Sequence, residues 1–400
     1  MIQSLWHWVA LAASVAGYWL LPACWRMGFL ATVSLGYLLW AEFALTGGVV
    51  TIPVLLGFTF AFYLLGPVVA RPGRAPRRVL SLLILAALAY LAWFKYVPPI
   101  LQALEGRFAL AHVAIPLGIS YYTFKLIHYA VEVARGNIKD RSLGSFFAYI
   151  LLFPIFTAGP IERYDHFLAN RAARLAADDV LAGLARIIHG LIKKFVILEL
   201  MIAPLFGSNP DGAALVSHLD RLSTVQVWGF AVLTYIAAYL DFSAYSDLAI
   251  GSARLFGIRI MENFRWPVLA TNIGDFWKRW HMTLAGWCQA YVYMPMIGLT
   301  RNPYAAVFAT FIAIGLWHSG SLHWIAWGAW HATGMVAFLA FARLRRQKGR
   351  KPAERGLLRF WGWPVTAAFV AAGFLITALS GQGAWDTVRV LARLVFLDIG

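Results

Sequence analysis

The sequence predicts an all-α, polytopic integral membrane protein, and three observations carry that reading. Of 400 residues, 61% are hydrophobic and only 13% charged, about half the charge of an ordinary soluble domain. The apolar residues gather into runs of about 20, the length a helix needs to cross a hydrocarbon core of roughly 30 Å. The basic residues behind the net charge of +16 fall in short loops between those runs, where positive-inside topology places them.

The runs lie near 2–22, 28–46, 49–70, 78–98, 143–160, 184–206, 225–246, 303–317, 322–342 and 359–380. They predict about ten transmembrane helices, with two further segments of ambiguous character. The first run lacks a basic leader and outlasts a secretory h-region, so it is expected to be a retained helix. RPGRAPRR (71–78) and RLRRQKGRKPAERGLLR (343–359) are the densest basic clusters. Both are expected on the cytoplasmic side, against anionic lipid, with an even number of crossings between them. Membrane lipid accounts for this charge better than nucleic acid does. Cys24 and Cys288 cannot build a disulfide framework and match no metal spacing; buried apolar side chains are their default.

No repeat of 20 to 50 residues stands out, so one integral domain over 1–400 is the simplest organisation. Within it, 1–114 reads as scaffold helices, 115–331 as the polar, motif-bearing region and 332–400 as C-terminal helices. Segment 162–182 is amphipathic and mixed in charge, with Asp178 and Asp179 near the start of the next helical run, where the dipole favours carboxylates. Segment 262–282 is too polar to face lipid, and 283–299 is apolar but ends in a Pro/Gly stretch. A re-entrant or interfacial element carrying His281 fits both.

GLWHSGSLHWIAWGAWH (315–331) sets His318, His323 and His331 in an otherwise membrane-like run. Burying imidazole is costly, so at least one needs a role or a dedicated partner. On one continuous helix His323 and His331 would lie about 140° and 220° round from His318, which excludes three metal ligands on one face. Gly320 and the serines favour a break after His318. At a helix end this histidine could be a base for an acceptor hydroxyl or a hydrogen-bonded structural residue. His323, His7 and His112 read as interfacial polar tips. DFWKRWH (275–281) interleaves Lys278 and Arg279 with aromatics ahead of His281; it suits a phosphate or carboxylate, or a ligand-free interface anchor. YLDFSAYSDLAIG (239–251) puts Asp241 and Asp247 in an apolar helix, either structurally paired or lining a site. FPIFTAGPIERYDHF (153–167) breaks at Gly159-Pro160 and presents Glu162 and Arg163, which reads as a helix end with an interfacial ion pair. No P-loop, GxSxG elbow, HExxH or CxxC occurs in a credible context.

In this order the motifs resemble those of the membrane-bound O-acyltransferases, within them the bacterial branch of alginate O-acetylation and teichoic acid D-alanylation. The similarity covers IPLGISYYTFKLIHYAVEVARG (115–136), FPIFTAGPIERY (153–164), YLDFSAYSDLAIGSARLFGIRIMENFRWP (239–267), FWKRWHMTL and YVYMP (276–295), and GLWH and WGAWH (315–331). Residues 1–114 agree only in hydropathy. The resemblance implies helices ringing a tunnel through a plasma (inner) membrane. It implies an acyl thioester donor, acetyl-CoA or an acyl carrier protein, with no tightly bound cofactor. The implied acceptor is a hydroxyl of an extracytoplasmic polysaccharide or envelope polymer, usually with an extracytoplasmic partner acyltransferase. His318 then matches the catalytic histidine and His281 the second one. Lys278, Arg279, Asp241, Asp247, Trp317 and Ser319 become candidate substrate-binding residues.

Two positions depart from the family pattern. Trp287-Cys288-Gln289-Ala290-Tyr291 stands where Trp-x-Arg-Asp-Tyr is common, and Ser319 where a glycine usually follows the histidine. SDLAIGSARLFG and AGPIERY look closer to the polysaccharide acetylation proteins, while the chain's end at residue 400 resembles the D-alanyl transfer proteins. On this reading His318 takes the acceptor proton during attack on the thioester. Direct transfer is favoured because no Ser or Cys evidently sits beside His318 as a nucleophile; an acyl-enzyme is the alternative. A transporter for a lipid-linked sugar would use the same polar residues to line a path, although the absence of an evident repeat speaks against it.

Overall fold

The computed structural model describes residues 4–105, 116–349 and 357–396; His112 and residues 350–356 of the second basic cluster lie outside them. The α-helices are α1 (Leu5–Leu20), α2 (Ala23–Thr46), α3 (Thr51–Val69), α4 (Arg74–Glu105), α5 (Ile119–Ala134), α6 (Leu143–Leu151), α7 (Tyr164–Ala169), α8 (Ala177–Leu191), α9 (Gly212–Ser217), α10 (Thr224–Leu255), α11 (Ile273–Trp277), α12 (Met282–Cys288), α13 (Met294–Thr300), α14 (Pro303–His318), α15 (Leu322–Gln347), α16 (Leu357–Ala378) and α17 (Ala384–Arg393). Among the described residues no strand forms beyond one isolated bridge, Arg171 to Ile258.

Among the described residues, six helices are long and apolar enough to cross a membrane: Ala23–Thr46, Thr51–Val69, Arg74–Val97, Thr224–Leu255, Leu322–Gln347 and Phe360–Ala378. They coincide with six of the ten predicted runs, and the other four differ for local reasons. The first run yields a 16-residue helix that stops before Pro22. Run 143–160 yields the nine-residue α6 and then a 3-10 turn at Phe153–Ile155, because Pro154 cannot donate a helical hydrogen bond. Run 184–206 passes from α8 into an 11-residue π-helical stretch, Ile192–Ile202, whose Lys193, Lys194 and Glu199 make it too charged to count as a span. Run 303–317 yields α14, apolar but only 16 residues long. Within 162–182, Asp178 and Asp179 stand in the first turn of α8 as expected. Cys288 is buried as expected, whereas Cys24 is exposed because the first turn of α2 is exposed around it.

The chain forms two compact units, one from residues 1–190 with 245–261 and the other from 191–244 with 262–400. The first unit has an aromatic core that includes Phe62, Tyr122, Phe146, Tyr149 and Tyr164, and its buried acids are each bonded. Glu42, near the end of α2, receives the amides of Val50, Thr51 and Ile52 at 3.2, 2.6 and 3.1 Å and so serves the orphan donors that open α3. Lys125 of α5 is buried, and its ammonium donates to the Tyr149 carbonyl at 3.1 Å, in the last turn of α6, where unsatisfied carbonyls attract cations. Asp179 receives Arg254 at 3.1 Å and Arg259 at 3.0 Å, fixing α8 to the end of α10. Those helices touch at Gly183 and Gly251, where a β-carbon on Gly251 would lie 2.6 Å from the Gly183 carbonyl oxygen.

In the second unit, α14 and α15 form a hairpin across Ser319–Ser321. Gly315 and Gly328 permit the close approach, since a β-carbon on either would strike the facing backbone at Trp324 or Phe311. The irregular segment 262–281 is fastened onto the helices that follow. Gly274 meets Phe338 of α15, Gly362 of α16 meets the Thr271 carbonyl, and the Trp363 indole donates to the Val268 carbonyl at 2.8 Å. Asn272 caps α11 by accepting the Asp275 amide at 2.8 Å, the usual role of a short polar residue at that position. This anchoring gives the loop that carries His281 a fixed platform.

Candidate functional site

His281 ends that segment and caps α12 in the left-handed conformation, φ 42° and ψ 51°. A residue with a β-carbon pays about 1–3 kcal/mol for this backbone, and such strain concentrates at functional sites. Three bonds hold it. The Asn263 side-chain oxygen lies 2.9 Å from His281 Nδ1 and accepts the Thr283 hydroxyl at 2.8 Å; the Asn263 backbone carbonyl accepts the Met282 amide at 2.9 Å. His281 is 1% exposed, and its Nε2 has no hydrogen-bond partner among the described residues. Phe242 and Trp317 approach its ring edge-on, with centroids 4.7 and 6.1 Å away. Burial, with His318 adding to it, pushes this imidazole well below its ordinary range, so it is neutral and carries one proton.

His318 is the last residue of α14, and the chain breaks over Ser319–Ser321 as the sequence predicts. Its ring is half-buried and stacked on Trp324 at 4.4 Å, with Trp317 and Trp327 edge-on at 4.7 and 5.7 Å. Trp317 therefore touches both histidines. Ser319 is extended, φ −160°, with its amide bonded to the Gly315 carbonyl and its hydroxyl accepting the Ser321 amide at 3.2 Å. Any residue adopts that backbone, so the serine that replaces the family's glycine introduces no strain.

The remaining histidines of the stretch lie on α15, beyond the break. His323 pairs with the Thr387 hydroxyl at 2.9 Å. His331 is fully buried among Phe276, Trp277, Phe311, Trp327 and Phe369, and neither ring nitrogen has a partner among the described residues. Among those residues no three His, Cys, Asp or Glu side chains gather as a metal site.

The candidate charged residues separate by partner. Arg279 is engaged by Asp275 at 2.8 Å and by the Arg265 carbonyl at 3.3 Å. Lys278 is exposed, with no ion pair among the described residues. Asp241, more than half exposed, receives Lys194 at 2.7 Å. Asp247 belongs to the first unit, where it is buried and receives Arg186 at 2.6 Å. The geometry thus brings His281, Trp317 and His318 together and gives each aspartate its own cation.

Several residues escaped the sequence reading. Asn263 and Thr283 hold His281, and Trp324 carries His318; an uncharged polar residue in an irregular, aromatic stretch was the only signal for Asn263. Glu162 is fully buried rather than interfacial: it sits 2.7 Å from His166 Nδ1, and its other oxygen accepts the Met261 amide at 2.7 Å. Its hydrogen bond, followed by its charge, raises the His166 pKa. At the position where the family's Arg-Asp pair is absent, the helix widens into a π-helical turn over Gln289–Tyr293, with Trp287 against Tyr291 at 4.9 Å.

The sequence profile of the membrane-bound O-acyltransferase family matches residues 77–376. The chain is 32% identical over 329 residues to a probable alginate O-acetylase of Pseudomonas aeruginosa, covering 78% of this chain and 60% of the relative. A Pseudomonas putida protein of the same description is 34% identical, covering 60% of this chain and 51% of the relative. A teichoic acid D-alanyltransferase of Streptococcus thermophilus is 30% identical, covering 68% of this chain and 70% of the relative. The chain therefore spans between one half and two thirds of the length of these two alginate relatives.

Proposed function

Since the chain belongs to the membrane-bound O-acyltransferase family, we propose that it moves an acyl group, acetyl in the first instance, from a cytoplasmic thioester to a hydroxyl of an extracytoplasmic cell-surface or secreted polysaccharide. Its place is the bacterial inner membrane, crossed by the six long apolar helices with the shorter apolar helices contributing. The polymer is reached directly or through an extracytoplasmic partner acyltransferase. The donor is a co-substrate, acetyl-CoA or an acyl carrier protein, and no bound cofactor is needed.

The observation that carries this reading is the pair His281 and His318, both set against Trp317. His318, half-open at a helix end, accepts the proton of the attacking hydroxyl as the new C–O bond forms. The tetrahedral intermediate collapses, the C–S bond breaks, and the leaving thiolate recovers the proton from His318. Lys278, exposed and without an ion pair among the described residues, suits the anionic part of the donor. Arg279 supports the turn beside it through Asp275, Trp317 and Ser319 flank the reacting groups, and Asp241 and Asp247 brace their helices through ion pairs. Aromatic walls that limit water would suppress hydrolysis of the thioester.

A second donor, D-alanyl, is favoured by one observation, that the match takes in 70% of the teichoic acid relative's own length against 60% of the Pseudomonas aeruginosa alginate relative's. Mass spectrometry of surface polymers from cells with and without the protein separates the two, because an acetyl ester and a D-alanyl ester differ in mass and charge. The test of the chemistry is His318→Ala at normal membrane level, which is expected to abolish the ester; undiminished acylation would refute the reading.

A further inference from the structure

We propose that Asn263 is a positioning residue that locks His281 in its Nδ1–H tautomer, so that Nε2 offers a lone pair to an O–H or N–H donor on the bound substrate. The inference rests on the acyl-transfer reading of the site and adds a division of labour within it: His318 takes the reacting proton and His281 receives a hydrogen bond.

The argument begins with the Asn263 side-chain oxygen, which only accepts. It already receives the Thr283 hydroxyl at 2.8 Å, and the atom opposite it at 2.9 Å, His281 Nδ1, must therefore carry the ring proton. In a neutral imidazole the proton then sits on one nitrogen and the lone pair on the other. The ring places Nε2 on the side away from Asn263, buried and without a partner among the described residues. A buried acceptor left empty is costly in a folded chain unless something arrives to fill it. The surrounding elements leave the ring little freedom. Asn263 itself is fully buried, its backbone carbonyl ties down Met282, and the left-handed backbone at His281 sets where the side chain leaves the chain. The groups that face the ring are Phe242 from α10, Trp317 from α14 and Thr283 from α12, with His318 as the titratable neighbour. His281 and His318 both touch Trp317, so a substrate lying along that indole meets an acceptor from one histidine and a base from the other.

The first test needs no substrate. In full-length protein labelled with 15N-histidine and held in detergent, the His281 signal, assigned by its loss in His281→Gln, is expected to show a protonated Nδ1 and a bare Nε2. An Nε2–H tautomer overturns the proposal. The second test follows label from acetyl-CoA, carrying its label in the acetyl group, into polymer in membranes that hold the full chain. Asn263→Asp preserves shape but puts a carboxylate on Nδ1. It is expected to move the acidic limb of the pH–rate profile upward by about 1–3 pH units, the usual effect of an adjacent opposite charge. Asn263→Ala is expected to lose about 100-fold in rate, the scale of a misplaced catalytic contact. Thr283→Ser should restore what Thr283→Val loses. An Asn263→Asp profile superimposable on the wild type would make Asn263 merely structural and overturn the proposal. Undiminished transfer by His318→Ala would overturn the acyl-transfer reading instead, and the tautomer measurement keeps the two failures apart.

Discussion

The two units differ in how they treat their buried acids and imidazoles. In the first, Glu42, Glu162, Asp179 and Asp247 each meet amides or cations at hydrogen-bonding distance, and His166 is bonded to Glu162. In the second, His281 keeps one nitrogen empty and His331 keeps two. Protein interiors rarely leave such groups unserved. Full pairing holds helices together, and an open valence at a strained residue next to a helix end is what a site for an incoming ligand requires. The difference teaches that polarity alone does not mark function in this chain: the open nitrogen of His281 lies at a strained residue, while those of His331 lie inside an aromatic cage.

That contrast predicts two kinds of damage. The largest effect is expected from His318→Ala, a rate loss of about 10²–10⁴-fold, the worth of a general base, with no change in melting temperature in detergent; a large drop in melting temperature would make His318 structural and erase the contrast. Next, Asp179→Ala should destabilise the folded chain by about 3 kcal/mol, the lower end for breaking buried pairs, because Arg259 is 59% exposed and stays hydrated. Its acyl transfer per folded molecule should be normal. Gly251→Ala should cost about 1–3 kcal/mol through overpacking against Gly183, again without a change in intrinsic rate. His331→Phe sharpens the comparison from the other side. It removes two unserved nitrogens from an aromatic cage and should raise stability by about 1–3 kcal/mol while transfer persists. Lost transfer would move His331 into the chemistry.

The smallest effect concerns pH. The folded-state pKa of His166 lies above the ordinary histidine value of 6.5, first through the hydrogen bond to Glu162. A raised pKa means the folded state holds the proton more tightly than the unfolded chain. The contribution is therefore fully present below about pH 6.5 and is lost as pH rises through the folded-state value. Melting temperature should decline slightly across that window, and His166→Gln should flatten the decline. An unchanged slope in the variant would assign the pH dependence to another group.

Legibility in the sequence followed the range of the interaction. Six membrane-length helices were visible because hydropathy is a local sum, and the break after His318 was visible because Gly320 and two serines sit beside it. The length of the shorter apolar helices was not, since Pro22, Pro154 and the charges at Lys193 and Lys194 act one turn at a time within runs that average as apolar. The partners of Asp179 are 75 and 80 residues away, and Asn263 stands 18 residues before the histidine it holds. No period in the sequence encodes such pairs. Their types were readable as polar residues in apolar surroundings, but the side that needed them was not.

Glu42 has a consequence for how the chain enters its membrane. The carboxylate lies in a helix long enough to span, and in the folded chain it is held by three amides that belong to the next helix. Alone in lipid, α2 would expose a charge; an acidic residue costs about 2.5–3.5 kcal/mol at a helix centre, and less at the position of Glu42 one turn from the helix end. The amides that offset it are synthesised only eight to ten residues later. Insertion of α2 is thus best completed together with α3, and the helical hairpin, rather than the single helix, is the natural unit of biogenesis at this end of the protein.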